Sequence, residues 1–155
     1  MQVTPATHQD VDGFLSLAAE VENWFGPMVD DPDFHALLHK NIQRATTLVI
    51  RAANGTSLLG GLLTGGQPPT YRLTWLVVAA AARRQGVGQA LISHAIDSFQ
   101  RPCRVDVITF GDNHPAATPS GARAFYERLG FHPGGEAPRG PEGGTRQWYH
   151  LTLPA

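Results

Sequence analysis

The chain has 155 residues, 42% of them hydrophobic and 16% charged, with a formal net charge of -1. That length makes one ordinary domain, residues 1–155, and the near-neutral charge excludes the broad basic face that duplex nucleic acid requires. Cys103 is the one cysteine, which excludes an internal disulfide, and no apolar run approaches the ~18 residues of a membrane span. The first residues, "MQVTPATHQDVDGFLSLAAE", lack a basic start followed by an apolar block, so a cytoplasmic location is the expectation.

In chain order, "QVTPA" reads as a short strand. Thr7 or Asp10 then caps a helix carrying Phe14, Leu17, Ala18 and Val21 on one stripe. A second helix is predicted after Pro32, with Phe34, Leu37, Leu38 and Ile42 at helical spacing. The period then changes. "TTLVIRA" and "SLLGGLLTGG" flank "ANGT", an Asn-Gly hairpin signal, and "YRLTWLVVA" is a third strand, apolar on both sides near its end as a central strand should be. The next helix sets Val87, Ala90, Leu91, His94, Ala95 and Ser98 on one stripe and stops before Pro102. "CRVDVITF" is a strand, "SGARAFYERLGF" a helix with Ala122, Phe125, Tyr126 and Leu129 aligned, and "TRQWYHLTL" the final strand. The Gly- and Pro-rich stretches "GGQPP", "GDNHPAATPSG" and "HPGGEAPRGPEGG" read as loops. The order implies a mixed α/β layer fold with its crossover helices in the second half.

The segment "AAAARRQGVGQALISHAI" raises a chemical question. Gly86 and Gly88 are poor helix formers placed where a helix begins. A loop of small residues entering a helix exposes backbone N–H groups at the positive end of the helix dipole, an arrangement suited to phosphate, and Arg83 and Arg84 add formal charge. A dinucleotide fingerprint would need Gly or Ala at Leu91, and a Walker loop would need a Gly-Lys-Ser/Thr tripeptide that the chain lacks. An ordinary strand-to-helix turn remains the alternative.

Arg83-Arg84-Gln85-Gly86-Val87-Gly88, following a strand that ends "LVV", resembles the R/Q-x-x-G-x-G/A signature of the GCN5-related N-acetyltransferase (GNAT) family. "ARAFYERLGF" resembles that family's second common signature. The resemblance covers roughly residues 48–153 and reaches the first 45 residues only by element order. It implies a GNAT fold: a mixed sheet of six to seven strands, splayed between the fourth and fifth, flanked by about four helices. It also implies acetyl-CoA as cosubstrate, with Val77 and Val78 meeting its arm and the backbone of residues 84–89, including Gln85, Val87 and Gln89, holding the pyrophosphate. The acceptor amine then attacks the thioester directly, and Tyr126 protonates the leaving thiolate, a donor role suited to a phenol that is protonated at neutral pH.

Where many relatives have an Asn seven residues before this tyrosine, the chain has Pro119; Ser120 or Asn113 are the candidate replacements. Glu20, Glu22, Asp112 and His114 are candidates for a general base, with water as the alternative. "EVENWFGPMVDDPDF" reads either as an apolar rim of the acceptor site, with Trp24 and Phe25 beside Glu20, Glu22, Asp30 and Asp31, or as a plug between two helices. His35 and His39 share a helix face, but Ala36 stands where a zincin needs Glu, so no metal is expected. The acceptor is read as a small-molecule or peptide amine. A homodimer is compatible with the family, and no nucleic-acid or membrane partner is expected. A catalytically silent acyl-CoA-binding sensor or assembly module is the alternative function, because the cofactor motif would survive in it.

Overall fold

Thr7 starts the first helical segment by a reciprocal cap. Its hydroxyl accepts the N–H of Gln9, and the Asp10 carboxylate accepts the N–H of Thr7, closing a 3-10 turn at His8–Asp10 that leads into helix α1, Val11–Phe25. The computed structural model describes residues 1–55 and 57–155. Seven strands, β1 Val3–Pro5, β2 Thr47–Arg51, β3 Leu58–Gln67, β4 Thr70–Val78, β5 Cys103–Phe110, β6 His132–Ala137 and β7 Arg146–Leu153, form one mixed sheet in the order β1-β2-β3-β4-β5-β7-β6. The remaining helices are α2 Pro32–Gln43, α3 Val87–Ser98, α4 Ala117–Ser120 and α5 Ala122–Arg128. The β4–β5 pairing is parallel and runs from Thr70↔Arg104 to Leu73↔Val107. It ends well before β4 does, as a splay between the fourth and fifth strands requires. Of the "ANGT" hairpin signal, Thr56 lies outside the described residues.

The chain divides into two compact units. The first comprises Met1–Asn23, Pro27–Gly65 and Thr74–Ser98. Its two layers meet at adjacent glycines of β3. A Cβ on Gly60 would lie 2.7 Å from a Val87 methyl and 3.2 Å from Leu91, whereas one on Gly61 would lie 2.4 Å from the Phe14 ring. Successive strand residues face opposite sides, so this Gly-Gly pair lets α3 approach one face and α1 the other. Phe14 and Phe34 tilt against Trp75 with ring centroids 5.7 and 5.6 Å away. Asp10 receives the Arg51 guanidinium through bonds of 3.0 and 2.7 Å. Burial pushes the Asp10 carboxyl up, but Arg51 and the Thr7 N–H outweigh it and hold the group below the ordinary carboxylate range.

The second unit comprises Trp24–Gly26, Gly66–Leu73 and Phe99–Ala155. Its frame is the antiparallel β5–β7 ladder, paired from Cys103↔Leu153 to Phe110↔Arg146. One side carries Tyr149, fully buried, whose hydroxyl donates to Glu127 at 2.7 Å. The other carries Asp106, held by Arg104 at 2.8 and 2.9 Å and by His150 Nδ1 at 2.6 Å.

Several expectations need correction. Leu37 is exposed on α2, which buries Asn41 in its place. On α3 the buried stripe is Val87, Gly88, Leu91, Ile92 and Ala95, leaving His94 and Ser98 exposed. The helix expected as "SGARAFYERLGF" is the shorter α5, which begins after Gly121 in a left-handed conformation and ends at Arg128. All three supposed loops contain regular structure: β3 runs through Gly66 to Gln67, α4 lies inside "GDNHPAATPSG", and β6 lies inside "HPGGEAPRGPEGG".

Candidate active site

In the first unit, β4 delivers its last residues, Val77 buried and Val78 half-buried, to a turn that leads into α3. The turn opens as a 3-10 segment, Ala80–Ala82. Arg84 and Gly86 then both take positive φ, +64° and +81°. A left-handed arginine carries a backbone cost that surrounding structure must hold in place, which marks the turn as special. No heavy atom lies within 4 Å of where a Cβ on Gly86 would sit, so glycine is needed there for its backbone conformation and leaves open space on that side. The Ala90 N–H bonds the Gly86 carbonyl, which leaves the amides of Val87, Gly88 and Gln89 without an intrahelical acceptor. Gln85 is tied back, its Nε2 donating to the Ala81 carbonyl at 3.2 Å. The arrangement is one that suits an anion: bare amides at a helix start, open space at Gly86, and Arg83 and Arg84 immediately before.

In the second unit, α5 buries Tyr126 to 7% exposure among the rings of Phe125, Phe131 and Tyr149, at 5.2, 5.5 and 6.4 Å. Burial alone pushes its phenol well above the ordinary tyrosine range, because the phenolate would lose its hydration. The Tyr126 hydroxyl makes no hydrogen bond among the described residues, yet it is not one of the fully buried unpaired side-chain atoms. It is a protonated donor that still reaches accessible space. Tyr149 beside it is pushed up to about 12 by burial and by its bond to Glu127.

A family profile for the Acetyltransferase (GNAT) domain matches residues 43–133, a span that includes the 83–88 turn and Tyr126. The chain belongs to the GNAT acetyltransferase family. Its enzyme class follows as N-acetyltransferase. The GNAT fold recurs in solved structures. The ribosomal-protein-alanine N-acetyltransferase from Brucella melitensis is 19% identical with TM-score 0.76, covering 99% of this chain and 100% of that one. A GCN5-related N-acetyltransferase from Kribbella flavida is 24% identical with TM-score 0.72, covering 98% and 97%. A chain of the NatC complex bound to Gag peptide and CoA is 18% identical with TM-score 0.69, covering 98% of each chain. No curated protein matches the sequence significantly.

The remaining site candidates of this GNAT chain have definite positions. Glu22 accepts the N–H groups of Met28 and Val29 at 2.6 and 3.0 Å, which fastens the α1–α2 connection and holds its carboxyl below the ordinary range. Asp31 caps α2 through the Asp33 N–H, and Asp30 is exposed. In the second unit Trp24 packs on the Phe110, Ala116 and Ala117 cluster, and Phe25 stacks on Phe110 at 4.9 Å. His114 is buried: Nδ1 accepts the Ala116 N–H at 2.9 Å, and Nε2 meets Glu142 at 3.3 Å. Both ring nitrogens are engaged, so His114 ties the 111–117 segment to Glu142. Ser120 accepts the Ala122 N–H at 3.3 Å and thereby caps α5, while Asn113 pairs with Thr145. His35 bonds the Val29 carbonyl and His39 stacks on His8. Among the described residues no group of three or more His, Cys, Asp or Glu side chains could hold a metal, and no helix is long and apolar enough to cross a membrane.

Sequence reasoning missed one feature of the second unit. A cleft of about 270 Å³ is lined by Asp112, Glu136, Arg139, Arg146 and Gln147 among others. Arg139 and Arg146 spend donors on the carbonyls of Gly143 and Pro138 at 2.8 and 2.6 Å. The carboxylates of Asp112 and Glu136 make no hydrogen bond among the described residues. Glu136, Ala137 and Arg139 of this lining come from the Gly- and Pro-rich stretch 132–144 read as loop, where no periodicity marks it.

Proposed function

We propose that this GNAT enzyme moves the acetyl group of acetyl-CoA to a primary amine by direct attack in a ternary complex. The observation that carries the reading is the 83–88 turn, where open space at Gly86 adjoins unpaired amides at the start of α3. Acetyl-CoA supplies an acyl group activated as a thioester, and its pyrophosphate suits that cradle in charge and shape. Arg83 and Arg84 add charge to the amides of Val87, Gly88 and Gln89, while the backbone at Val77 and Val78, at the end of β4, orients the arm and meets negative charge developing on the carbonyl oxygen. Tyr126 holds a proton for the sulfur as the N–C bond forms and the C–S bond breaks; the amine gives up one proton in the same turnover.

The acceptor reading is a small-molecule or peptide amine. The Brucella relative is named for acetylating a protein alanine and the NatC complex holds a peptide, which supports an amine acceptor of either kind. Of the four acidic or imidazole candidates for a base, Asp112 is the one with no hydrogen-bond partner among the described residues, and it faces the cleft beside Glu136. Asp112 and Glu136 share that cleft with Arg139 and Arg146, so its charge is mixed and an amine acceptor there would pair with the carboxylates.

Calorimetry with acetyl-CoA and CoA, followed by thiol release against a panel of small and peptide amines, tests the proposal. Micromolar binding with thiol release for at least one amine is expected. Absence of binding to either ligand overturns it, and binding without turnover across the panel returns the silent acyl-CoA sensor as the better reading.

A further inference from the structure

We infer that Glu20 of α1 is a positioning residue for the acetyl-CoA turn, holding its entrance from 60 positions away in sequence; the inference rests on the reading of residues 83–88 as the cofactor site. The turn is entered through Ala79, Ala80, Ala81 and Ala82, four residues with no side chain able to fix their own backbone. Ala79 precedes the 3-10 segment without any side-chain cap. The geometry is therefore imported. The Glu20 Oε1 accepts the Ala80 N–H at 2.8 Å and occupies the place of the missing cap.

Around that bond the other groups close the turn. The Ala79 N–H bonds the Leu59 carbonyl of β3 at 2.8 Å, the Ala82 N–H returns to Ala79 at 2.8 Å, and the Gln85 side chain reaches the Ala81 carbonyl. The two left-handed residues, Arg84 and Gly86, follow directly. Glu20 is thus the one side chain outside the turn that binds its entrance among the described residues. Its carboxylate is exposed and spans no cavity, so its removal releases the turn and leaves the core intact. This assigns Glu20 a place in cofactor binding and removes it from the candidates for proton abstraction.

The experiment compares Glu20→Ala, Glu20→Gln and, as a charge control on the same helix, Asp12→Asn. Acetyl-CoA affinity, KM for acetyl-CoA, kcat with the best amine, and hydrogen exchange of the 80–84 amides in the ligand-free protein are measured. Glu20→Ala should weaken acetyl-CoA binding and raise its KM about fivefold, the effect of one charge-assisted hydrogen bond at an exposed site, with kcat within about twofold. Exchange at residues 80–84 should accelerate. Glu20→Gln keeps a carbonyl acceptor and should restore most of the affinity and protection; Asp12→Asn should match the wild type. Unchanged exchange in Glu20→Ala overturns the inference, and so does a loss of kcat in both Glu20 variants at unchanged acetyl-CoA affinity, which would make Glu20 a base. Failure of the wild type to bind acetyl-CoA refutes the functional reading instead, and the exchange data still judge the role of Glu20 in shaping the turn.

Discussion

Substitution at Gly86 separates a phosphate cradle from an ordinary turn, because one position tests backbone conformation and ligand approach independently. With φ at +81° and no heavy atom within 4 Å of the new Cβ, Gly86→Ala introduces no clash. Its cost to the free protein is the left-handed backbone penalty, about 1–2 kcal/mol. In a chain of this size each 1 kcal/mol lowers Tm by roughly 2–4 °C, so thermal melts should show a modest drop. Gly86→Glu carries the same backbone cost and adds a carboxylate beside the proposed pyrophosphate. At about 4 Å, one such charge pair costs about 1 kcal/mol in water-like surroundings and about 4 kcal/mol where the site is partly desolvated. Acetyl-CoA affinity measured by calorimetry should therefore fall at least about fivefold for Glu beyond the loss for Ala. Raising the salt from about 0.05 to 0.5 M should narrow that gap, since screening weakens the repulsion. Glu and Ala variants that bind acetyl-CoA equally well, at any salt, would refute the placement of the phosphates.

Tyr126→Phe should lower kcat about a hundredfold or more with KM for acetyl-CoA little changed, as removal of a proton donor predicts; an equal effect on both constants would point to packing instead. Gly61→Ala should destabilise the protein by about 1–3 kcal/mol in denaturant titration, because its Cβ would lie 2.4 Å from Phe14, and pairing it with Phe14→Leu should recover part of the loss. Asp10→Asn should cost about 1–3 kcal/mol at pH 7 by removing the charged acceptor of Arg51 and Thr7. Because the folded-state pKa of Asp10 lies below its unfolded value, that contribution is complete above the unfolded value, near pH ~4, and is lost as pH falls through the folded one. The stability gap between wild type and Asp10→Asn should therefore shrink as pH drops from 7 toward 3; a constant gap would contradict the assignment.

The legible parts of the fold are those where burial imposes a period. Phe14, Leu17, Ala18 and Val21 are all buried on α1 as their spacing predicts. On α3 two apolar stripes overlap, and the bareness of Gly60 admits Val87 and Leu91 against β3 from a distant part of the chain. No sequence window contains that information. β6 escaped notice for a different reason: His132, Pro133, Gly135 and Glu136 are exposed at the sheet edge, so no alternation is enforced. Gly134 is there because the His150 ring occupies the space a Cβ would take, 2.6 Å from Nε2. In the site, the 83–88 turn is legible because amide-lined anion binding demands glycine and small residues in a fixed order. The hydrogen-bond partners of His114 and Glu20 are not legible, because Glu142 and Ala80 lie 28 and 60 positions away, where local pattern carries no signal.

Burial of Tyr126 sharpens what its proton can do. A phenol raised above its ordinary value of about 10 is a weaker acid than the leaving thiol, near ~8.5 in water, so full transfer to a hydrated thiolate would be uphill by more than about 2 kcal/mol. The surroundings that penalise the phenolate also penalise a thiolate formed beside it, since both anions lose the same hydration. On the proposed mechanism the difference between them therefore does not widen on burial. What the protein contributes is a donor fixed before charge develops on sulfur, a hydrogen bond that strengthens as the C–S bond breaks and needs no reorganisation. Bulk protons cannot replace a fixed donor. Lowering the pH should consequently fail to restore kcat in Tyr126→Phe, whereas recovery at low pH would show that proton supply, and not the positioned hydroxyl, limits the reaction.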